Sequence, residues 1–253
     1  MDEYTQTFER RGESYNSAHE ICPGGREAER ALVIDRLAAS PGERVLDAPA
    51  GGGYLADGLR ARGLAAEDIV CQEPSANFAS ALDPAYPQVR APIYDAQAHA
   101  AGSLDAVASL AGVHHVQDKR LIYRAWWGAL RPGGRLVMAD VQAETGVARF
   151  LNGFVDAHVP GGHEGIFLVP GEVENEMQTQ GFQAVSGELC KVPWHFPDMQ
   201  TCAAFCLRLF GLQGIDEAEV GKALAREVGI TENADDSVDL HWQLYCVQAK
   251  KPE

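Results

Sequence analysis

The sequence is poor in basic residues, with 21 Lys and Arg against 36 Asp and Glu and a formal net charge of −15. The few basic residues also form no cluster that would reverse this charge locally. An acidic surface repels both a phosphate backbone and an anionic lipid headgroup. We therefore expect no nucleic-acid partner and no membrane partner, and we attribute the charge to solubility.

Cysteine pairs and long apolar runs are also missing. The six cysteines contain no CxxC motif, so we expect buried or free thiols. No apolar run is long enough to span a membrane, and the polar segment MDEYTQTFERRGE does not resemble a signal peptide. The expected location is the cytoplasm, where thiols stay reduced.

The order of the predicted elements is typical of an α/β fold. Short apolar segments, several of them ending in an acid, alternate with helical patterns along the first half of the chain. This alternation indicates a parallel sheet with helices on both faces, whose ligands bind at the carboxyl ends of the strands. The five strands predicted there are residues 44–48, 68–73, 89–95, 104–111 and 135–141.

A glycine-rich turn follows the first of these strands in the segment VLDAPAGGGYLADGL, residues 45–59. A nicotinamide-binding turn has the pattern GxGxxG directly after the strand, so that the pyrophosphate meets a helix N-terminus. Here Asp47 precedes the glycines instead. A carboxylate at this position repels a pyrophosphate and suits an ammonium or sulfonium group. The turn therefore favours an amino-acid-bearing nucleoside over a dinucleotide.

This turn resembles the first motif of the class I S-adenosylmethionine-dependent methyltransferases, an acid-x-Gly-x-Gly-x-Gly sequence. Asp47, Gly51 and Gly53 match the motif, and Pro49 replaces its first glycine. Proline fixes φ at about −65° and lacks an N–H, so it fits only where neither a positive φ nor a donor is needed. We expect the replacement to be tolerated.

The resemblance covers about residues 40–142 and, more loosely, the last helix and two strands. It implies that Glu73 accepts the ribose hydroxyls and that Asp95 binds the adenine amino group beside the backbone N–H of Ala96. The alternatives are a solvated strand-end acid for Glu73 and a turn-forming role for Asp95. Arg26 either pairs with the cofactor carboxylate or forms a surface salt bridge. The predicted cofactor-binding residues are Asp47, Ala48, Pro49, Gly51, Gly53, Glu73, Pro74, Asp95, Ala96, Ser109, Leu110, Ala111, Tyr15 and Arg26.

The resemblance also implies the order of the strands, and the pattern of elements along the chain indicates how the chain is divided. We expect a doubly wound, seven-stranded, mostly parallel sheet in the order 3-2-1-4-5-7-6, with the last strand antiparallel. A single domain of residues 1–253 is predicted, with lid insertions near 145–170 and 195–232. Its parts are a helical N-terminal cap (1–40), a cofactor-binding core (41–142), and lid segments with closing strands (143–253), the last strand being residues 238–251.

Four histidines are candidates for the chemistry. Methyl transfer mainly requires a positioned nucleophile, and a base helps when that nucleophile is a hydroxyl or a protonated amine. His114 and His115 follow the fourth strand, where the methyl group is expected, and His115 is the first candidate for a base or a substrate contact. His158 and His163 flank the glycine-flexed segment VPGG of a lid. Ordinary loop or surface histidines are the alternative.

The pattern of these histidines predicts no metal ligand, because pairing His158 and His163 with Asp156 or Glu164 matches metal-site spacing only loosely. The sequence as a whole predicts a methyltransferase that uses S-adenosyl-L-methionine to methylate an oxygen or nitrogen of a small molecule. It leaves monomer and homodimer open. The alternatives are a non-catalytic binding or scaffold protein of the same fold and a nicotinamide-dependent oxidoreductase.

Overall fold

The computed structural model of the chain describes residues 3–253, with side chains from Tyr4 onward. The predicted N-terminal cap is helical in this part, and Met1 and Asp2 lie outside the described residues. Its two helices are α1 (Glu3–Ile21) and α2 (Glu27–Leu37), which are separated by the segment CPGG. Helix α1 packs against the helix Met199–Phe210 of the C-terminal half.

Ten strands form two sheets in the described part of the chain. They are β1 (Val45–Asp47), β2 (Ile69–Gln72), β3 (Gln88–Val89), β4 (Leu104–Leu110), β5 (Leu130–Asp140), β6 (Gln183–Lys191), β7 (Trp194–Phe196), β8 (Ile230–Glu232), β9 (Val238–Leu240) and β10 (Gln243–Lys250). The seven-stranded sheet has the order β3-β2-β1-β4-β5-β10-β6. Strand β10 is antiparallel to both of its neighbours. The predicted order, with an antiparallel last strand, is confirmed.

Helices cover both faces of this sheet, as the alternation predicted. Apolar residues of α2 and of the helix Tyr54–Ala61 pack on one face, and those of the helices Lys119–Ala129 and Glu172–Gln180 pack on the other. The remaining helical segments belong to the C-terminal half. The bounds are α3 (Tyr54–Ala61), α4 (Lys119–Ala129), α5 (Gly146–Arg149), a π-helical turn (Phe150–Val155), α6 (Asp156–His158), α7 (Glu172–Gln180), α8 (Met199–Phe210) and α9 (Glu217–Glu227). None of the helices within residues 3–253 is both long enough and apolar enough to cross a membrane.

The third strand is much shorter than the predicted 89–95. Strand β3 ends at Val89, and the chain then turns, with the N–H of Asp95 donating to the carbonyl of Pro92. Proline cannot donate to a strand ladder, which disfavours a longer strand here. The side chain of Gln72 instead donates to the carbonyls of Ala91 and Pro92, at 3.3 and 2.7 Å. The prediction that Asp95 ends a strand was therefore wrong.

The prediction of one last strand over 238–251 was also wrong. The chain breaks at Trp242, whose N–H donates to the carbonyl of Leu240 at 2.6 Å. Strand β9, before the break, joins a separate three-stranded sheet with β7 and β8. The indole of Trp242 stacks on Trp194, with ring centroids 4.1 Å apart. An alternating apolar pattern continues across such a change of sheet, so the pattern alone does not reveal it.

Candidate active site

The turn after β1 accommodates its proline. Positive φ angles fall on Gly51 (53°) and Gly53 (98°), and not on Pro49. The N–H of Gly53 donates to the carbonyl of Ala50, and the N–H of Ala50 donates to Gln72 of β2. The conformations that favour glycine therefore lie at the positions where the sequence retains it.

Pro49 also connects the turn to the loop after β4. A Cβ built on Gly112 would lie 2.2 Å from Cγ of Pro49, which is closer than non-bonded atoms approach. The proline ring therefore packs directly on the backbone of Gly112. This contact fixes the turn beside the loop that contains His114 and His115.

Asp47 ends β1 as a buried carboxylate that is only half satisfied. Its Oδ2 accepts a hydrogen bond from the N–H of Ala56 at 3.1 Å. Its Oδ1 is buried and has no hydrogen-bond partner within residues 3–253. Burial raises the pKa of Asp47 well above its usual range, against the opposing effect of the Ala56 N–H. A buried acceptor without a donor is costly, and a ligand ammonium group would satisfy it.

Glu73, just beyond β2, is fully buried, so the alternative of a solvated acid is wrong. Its Oε2 accepts hydrogen bonds from the Tyr4 hydroxyl at 2.6 Å and from the N–H of Gly51 at 3.0 Å. Its Oε1 accepts from the N–H of Ser75 at 2.9 Å. Burial raises the pKa of Glu73 to about 7, although these three hydrogen bonds oppose the rise. A hydroxyl group, that of Tyr4, already binds the carboxylate for which ribose hydroxyls were predicted.

A space of about 220 Å³, here named the cofactor cavity, opens beside the glycine-rich turn. Its walls come from the turn, the end of β4 and the N-terminal helices, so the structure brings together residues that are distant in the sequence. Six of the predicted cofactor residues line it, namely Pro49, Gly51, Leu110, Ala111, Tyr15 and Arg26. Tyr4, Phe8 and Phe78 line it too, with the rings of Phe8 and Phe78 stacked at 4.6 Å.

Other predicted cofactor residues lie outside this lining. Asp95 lies in a turn, with its Oδ1 accepting from the N–H of Gln97 at 2.8 Å, and its predicted contact with adenine stays a prediction. Ser109 is fully buried in β4, and its hydroxyl has no hydrogen-bond partner in the described part of the chain. The lining also excludes Asp47, Ala48, Gly53, Glu73, Pro74 and Ala96, although Glu73 accepts hydrogen bonds from Tyr4 and Gly51, which do line the cavity.

Arg26 belongs to a buried ion pair and not to the surface salt bridge that was its alternative. Its Nε donates to Oε1 of Glu29 at 2.5 Å, and one terminal nitrogen donates to the hydroxyl of Tyr15 at 2.5 Å. The indole N–H of Trp194 donates to the other oxygen of Glu29 at 2.9 Å. These contacts hold the guanidinium in the interior, where only 3% of Arg26 is exposed.

A second, smaller space, here named the acceptor cavity, adjoins the cofactor cavity and measures about 50 Å³. The two cavities share four lining residues, Phe8, Tyr15, Arg26 and Ala111. The rest of the acceptor cavity is lined by aromatic and apolar side chains, three histidines and one arginine. These are Val141, Leu151, Trp194, Leu209, Phe210, Trp242, His114, His115, His163 and Arg11.

Three of the four predicted histidines meet in this cavity. The ring centroids of His114 and His115 are 4.2 Å apart, and that of His163 lies 5.5 and 5.2 Å from them. The fourth, His158, does not join them, because its Nδ1 bonds to the carbonyl of Phe154 at 2.7 Å. Of the two lid histidines, only His163 therefore joins the histidines that follow β4.

Asp140, which closes β5, positions His114. Its Oδ1 lies 2.6 Å from Nδ1 of His114. Its Oδ2 accepts from the N–H groups of Gly112, Val113 and His114 at 2.9, 2.8 and 3.2 Å. Burial raises the pKa of Asp140, but His114 and the backbone donors outweigh it and leave the pKa below its usual range. Sequence reasoning missed this residue, although an acid ending a predicted strand was the available signal.

The other two histidines are held neutral. Burial, followed by the neighbouring His114, lowers the pKa of His163 to about 3 and places that of His115 well below its usual range. The positive charge of Arg11 further lowers the pKa of both histidines. Burial lowers its own pKa to about 10, so it stays charged at neutral pH. Its buried Nε has no hydrogen-bond partner within residues 3–253.

Phe8 and Arg11 were also missed from the sequence. Both lie on α1, and the residues of this helix that line the cavities include Tyr4, Phe8, Arg11 and Tyr15. Their spacing of four, three and four residues places them on one helix face. That periodicity was the available signal, because Tyr15 on the same helix face is among the predicted cofactor-binding residues.

Comparison with known proteins supports the same class. A family model described as a methyltransferase domain matches residues 46–138. The ubiquinone biosynthesis O-methyltransferase of Xanthomonas axonopodis pv. citri is 31% identical over 168 residues, which are 60% of this chain and 68% of that protein. The demethylmenaquinone methyltransferase of Renibacterium salmoninarum is 29% identical over 147 residues, covering 57% of this chain and 61% of that protein. The chain spans about half to two thirds of the curated relatives that it matches.

A solved structure supports the fold. Phosphoethanolamine N-methyltransferase 2 of Haemonchus contortus, in complex with phosphomonomethylethanolamine and S-adenosylhomocysteine, superposes with a TM-score of 0.70 at 14% identity. The match covers 100% of this chain and 61% of that one. The sequence matches show that the chain belongs to the class I S-adenosylmethionine-dependent methyltransferase family, as its glycine-rich turn predicted. S-adenosyl-L-methionine is the cofactor of this family.

Proposed function

We propose that this chain transfers a methyl group from S-adenosylmethionine to an oxygen or nitrogen atom of a small molecule. The observation that carries the proposal is the shared wall of the two cavities, formed by Phe8, Tyr15, Arg26 and Ala111. Because the two cavities adjoin at these residues, a methyl donor in one cavity and an acceptor in the other would lie next to each other, as methyl transfer requires. Positioning of this kind contributes on the order of 7–11 kcal/mol to such reactions.

The residues around the cofactor cavity fit the proposed donor. The unpartnered Oδ1 of Asp47 would accept from its ammonium group, and Glu73 would accept from its ribose hydroxyls in place of Tyr4. Gly51 and Ala111, which line the cavity, would contact the bound donor. When bound, the cofactor supplies a methyl group that is already activated by the sulfonium.

On the acceptor side, the histidines are suited to orient a hydroxyl group. A neutral imidazole nitrogen accepts a hydrogen bond, and the lowered pKa values of His115 and His163 keep these rings neutral. Such low pKa values also make the two rings weak bases at neutral pH, so we assign them to positioning. The O-methyltransferase names of several relatives likewise favour a hydroxyl acceptor.

The charge of Arg11 narrows the class of acceptor further. A buried guanidinium nitrogen without a partner favours an anionic group on the ligand. We therefore propose an acceptor that carries both a hydroxyl and a carboxylate or another acidic group. The acceptor cavity of about 50 Å³ is too small for such a molecule, so the side chains of α1 must move when it binds. A cytoplasmic location and a monomeric or homodimeric state remain part of the proposal, on the sequence alone.

Titration calorimetry tests the proposal. We expect S-adenosylmethionine and S-adenosylhomocysteine to bind the wild-type chain, more weakly Asp47→Asn and Glu73→Gln, and NAD to bind none of them. Hydroxybenzoates and the matching phenols without the carboxylate would then be tested as methyl acceptors. Binding of NAD alone contradicts the proposal. Binding of the adenosyl compounds without turnover on any acceptor favours the scaffold alternative.

A further inference from the structure

The three histidines of the acceptor cavity also have the arrangement of a metal site. One ring nitrogen from each of His114, His115 and His163 lies within 4.8 Å of the others. We propose that these histidines bind a divalent transition-metal cation of the Zn²⁺ or Co²⁺ type. This proposal does not depend on methyl transfer, because its test is the binding of the metal alone.

The ring positions agree with common ligation. Zinc–nitrogen bonds of about 2.0–2.1 Å place the ring centroids of two tetrahedral histidine ligands roughly 5 Å apart. The centroid of His163 lies 5.5 Å from that of His114 and 5.2 Å from that of His115. The 4.2 Å between His114 and His115 is shorter, and a small rotation of either ring would open it. Three such ligands leave a fourth position for a water or a substrate atom.

The hydrogen bonds behind the rings strengthen the assignment. A carboxylate can only accept, so Nδ1 of His114 carries the proton toward Asp140, which leaves Nε2 as the nitrogen that can face a metal ion. Nδ1 of His163 lies 3.1 Å from Oδ1 of Asn152, which also accepts from the N–H of Gly165 at 2.8 Å. The ring nitrogens of His115 have no hydrogen bond within residues 3–253. Metal-binding histidines are oriented by outer partners of this type.

The charges around the cluster determine what completes the site. Asp140 contributes a buried negative charge behind His114, and Lys119 and Arg11 contribute positive charge. Lys119 donates to the carbonyls of Val116 and Ile166, whereas the Nε of Arg11 is unpartnered and lines the same cavity. The positive charge of Arg11 disfavours the binding of a cation alone. It favours a cation that also carries an anionic ligand. The open position would therefore take an oxygen of an acidic ligand.

Titration with Co²⁺ tests the site, because tetrahedral Co²⁺ has visible absorption bands that report its ligands. The untagged, chelator-treated chain would be titrated with Co²⁺ and then with Zn²⁺ as a competitor. We expect one Co²⁺ per chain, displaced by one Zn²⁺. His163→Gln and His115→Gln should each weaken binding at least about 100-fold, and Asn152→Ala about tenfold, as outer partners of metal ligands do. These variants leave the buried contact of His114 with Asp140 intact.

His158→Gln is the matched control, because this lid histidine lies outside the cluster and bonds to a backbone carbonyl. It should bind Co²⁺ with the wild-type affinity and the same absorption spectrum. Circular dichroism would confirm that each variant is folded. The proposal is overturned if the folded wild-type chain binds no stoichiometric Co²⁺. It is equally overturned if the double variant His115→Gln/His163→Gln binds Co²⁺ as tightly as the wild type.

Discussion

The hydroxyl of Tyr4 donates a 2.6 Å hydrogen bond to Oε2 of Glu73, across 69 positions of sequence. This contact ties α1 to the end of β2. The same carboxylate is the proposed acceptor of the ribose hydroxyls. On that proposal the cap and the cofactor compete for one oxygen, and the cofactor must displace the phenol of Tyr4 to bind.

The competition predicts that Tyr4→Phe tightens cofactor binding. The variant removes the hydroxyl that occupies Glu73 and leaves the aromatic ring. A hydrogen bond to a charged group contributes about 1.5–3 kcal/mol, so we expect S-adenosylhomocysteine to bind on the order of tenfold more tightly. Calorimetry of the two proteins at one pH measures the change. Unchanged or weaker binding would mean that Tyr4 moves with the cofactor as a partner and does not compete with it.

Tyr245→Phe is the control for this experiment. Tyr245 also donates to a glutamate, Glu174, and lies on β10, away from the cofactor cavity. The two variants remove the same group from the same kind of pair. Only the Tyr4 variant should alter cofactor affinity.

The raised pKa of Glu73 predicts that cofactor binding depends on pH. Ribose hydroxyls donate most strongly to the ionised carboxylate, and this form appears as the pH rises through the pKa of about 7. We expect the affinity for S-adenosylhomocysteine to increase between pH 6 and pH 8 in the wild type, pH values on either side of about 7. Glu73→Gln has no charge to gain there, so its affinity should be flat. A wild-type profile parallel to that of the variant would assign the dependence to another group.

The same shift affects stability with the opposite sign. A carboxyl group whose pKa is raised on folding stabilises the folded state at low pH. This stabilisation is lost as the pH rises from the unfolded value near 4.5 through about 7. The free energy of unfolding of the wild type, relative to Glu73→Gln, should therefore fall over this interval. Urea unfolding at several pH values measures it, and a difference that rises with pH would contradict the assigned shift.

Asp47→Asn should discriminate between ligands with and without an amino-acid group. The unpartnered Oδ1 of Asp47 is assigned to the ammonium group of the cofactor. We expect S-adenosylhomocysteine to lose at least about tenfold in affinity, since a charge-assisted hydrogen bond is roughly twice as strong as a neutral one. Methylthioadenosine lacks the ammonium group and should bind both proteins equally. An equal loss for the two ligands would show that the substitution disturbs the turn as a whole.

The parts of the site that could be predicted are those fixed by strand ends. Asp47 ends β1 and Glu73 directly follows the neighbouring parallel strand β2, so topology alone places both at the same edge of the sheet. His114 and His115 follow β4 at that edge for the same reason. The prediction that Asp95 lies at this edge as a strand-end acid was wrong, because the strand ends earlier, at Val89.

The parts that could not be predicted depend on packing between distant segments. His163 reaches His114 from a lid segment, where the N–H of Ile166 donates to the carbonyl of His114 at 2.8 Å. No periodicity within either segment encodes this contact. The contact of Tyr4 with Glu73 could not be predicted either, because it depends on how the cap helix packs on the core.

Asp140 and Asp239 allow a last prediction, because each pairs with a histidine in a different environment. Asp140 is fully buried and lies 2.6 Å from His114, whereas Asp239 pairs with the exposed His195 at 2.7 Å. Asp140→Asn should lower the free energy of unfolding by about 3 kcal/mol at pH 7, since it breaks a buried charged network. Asp239→Asn should cost less than about 1 kcal/mol. The Asp140 effect should disappear as the pH falls through the lowered pKa of this carboxyl. Urea unfolding of both variants measures the contrast, and equal losses would contradict the role of Asp140 as the support of the histidine loop.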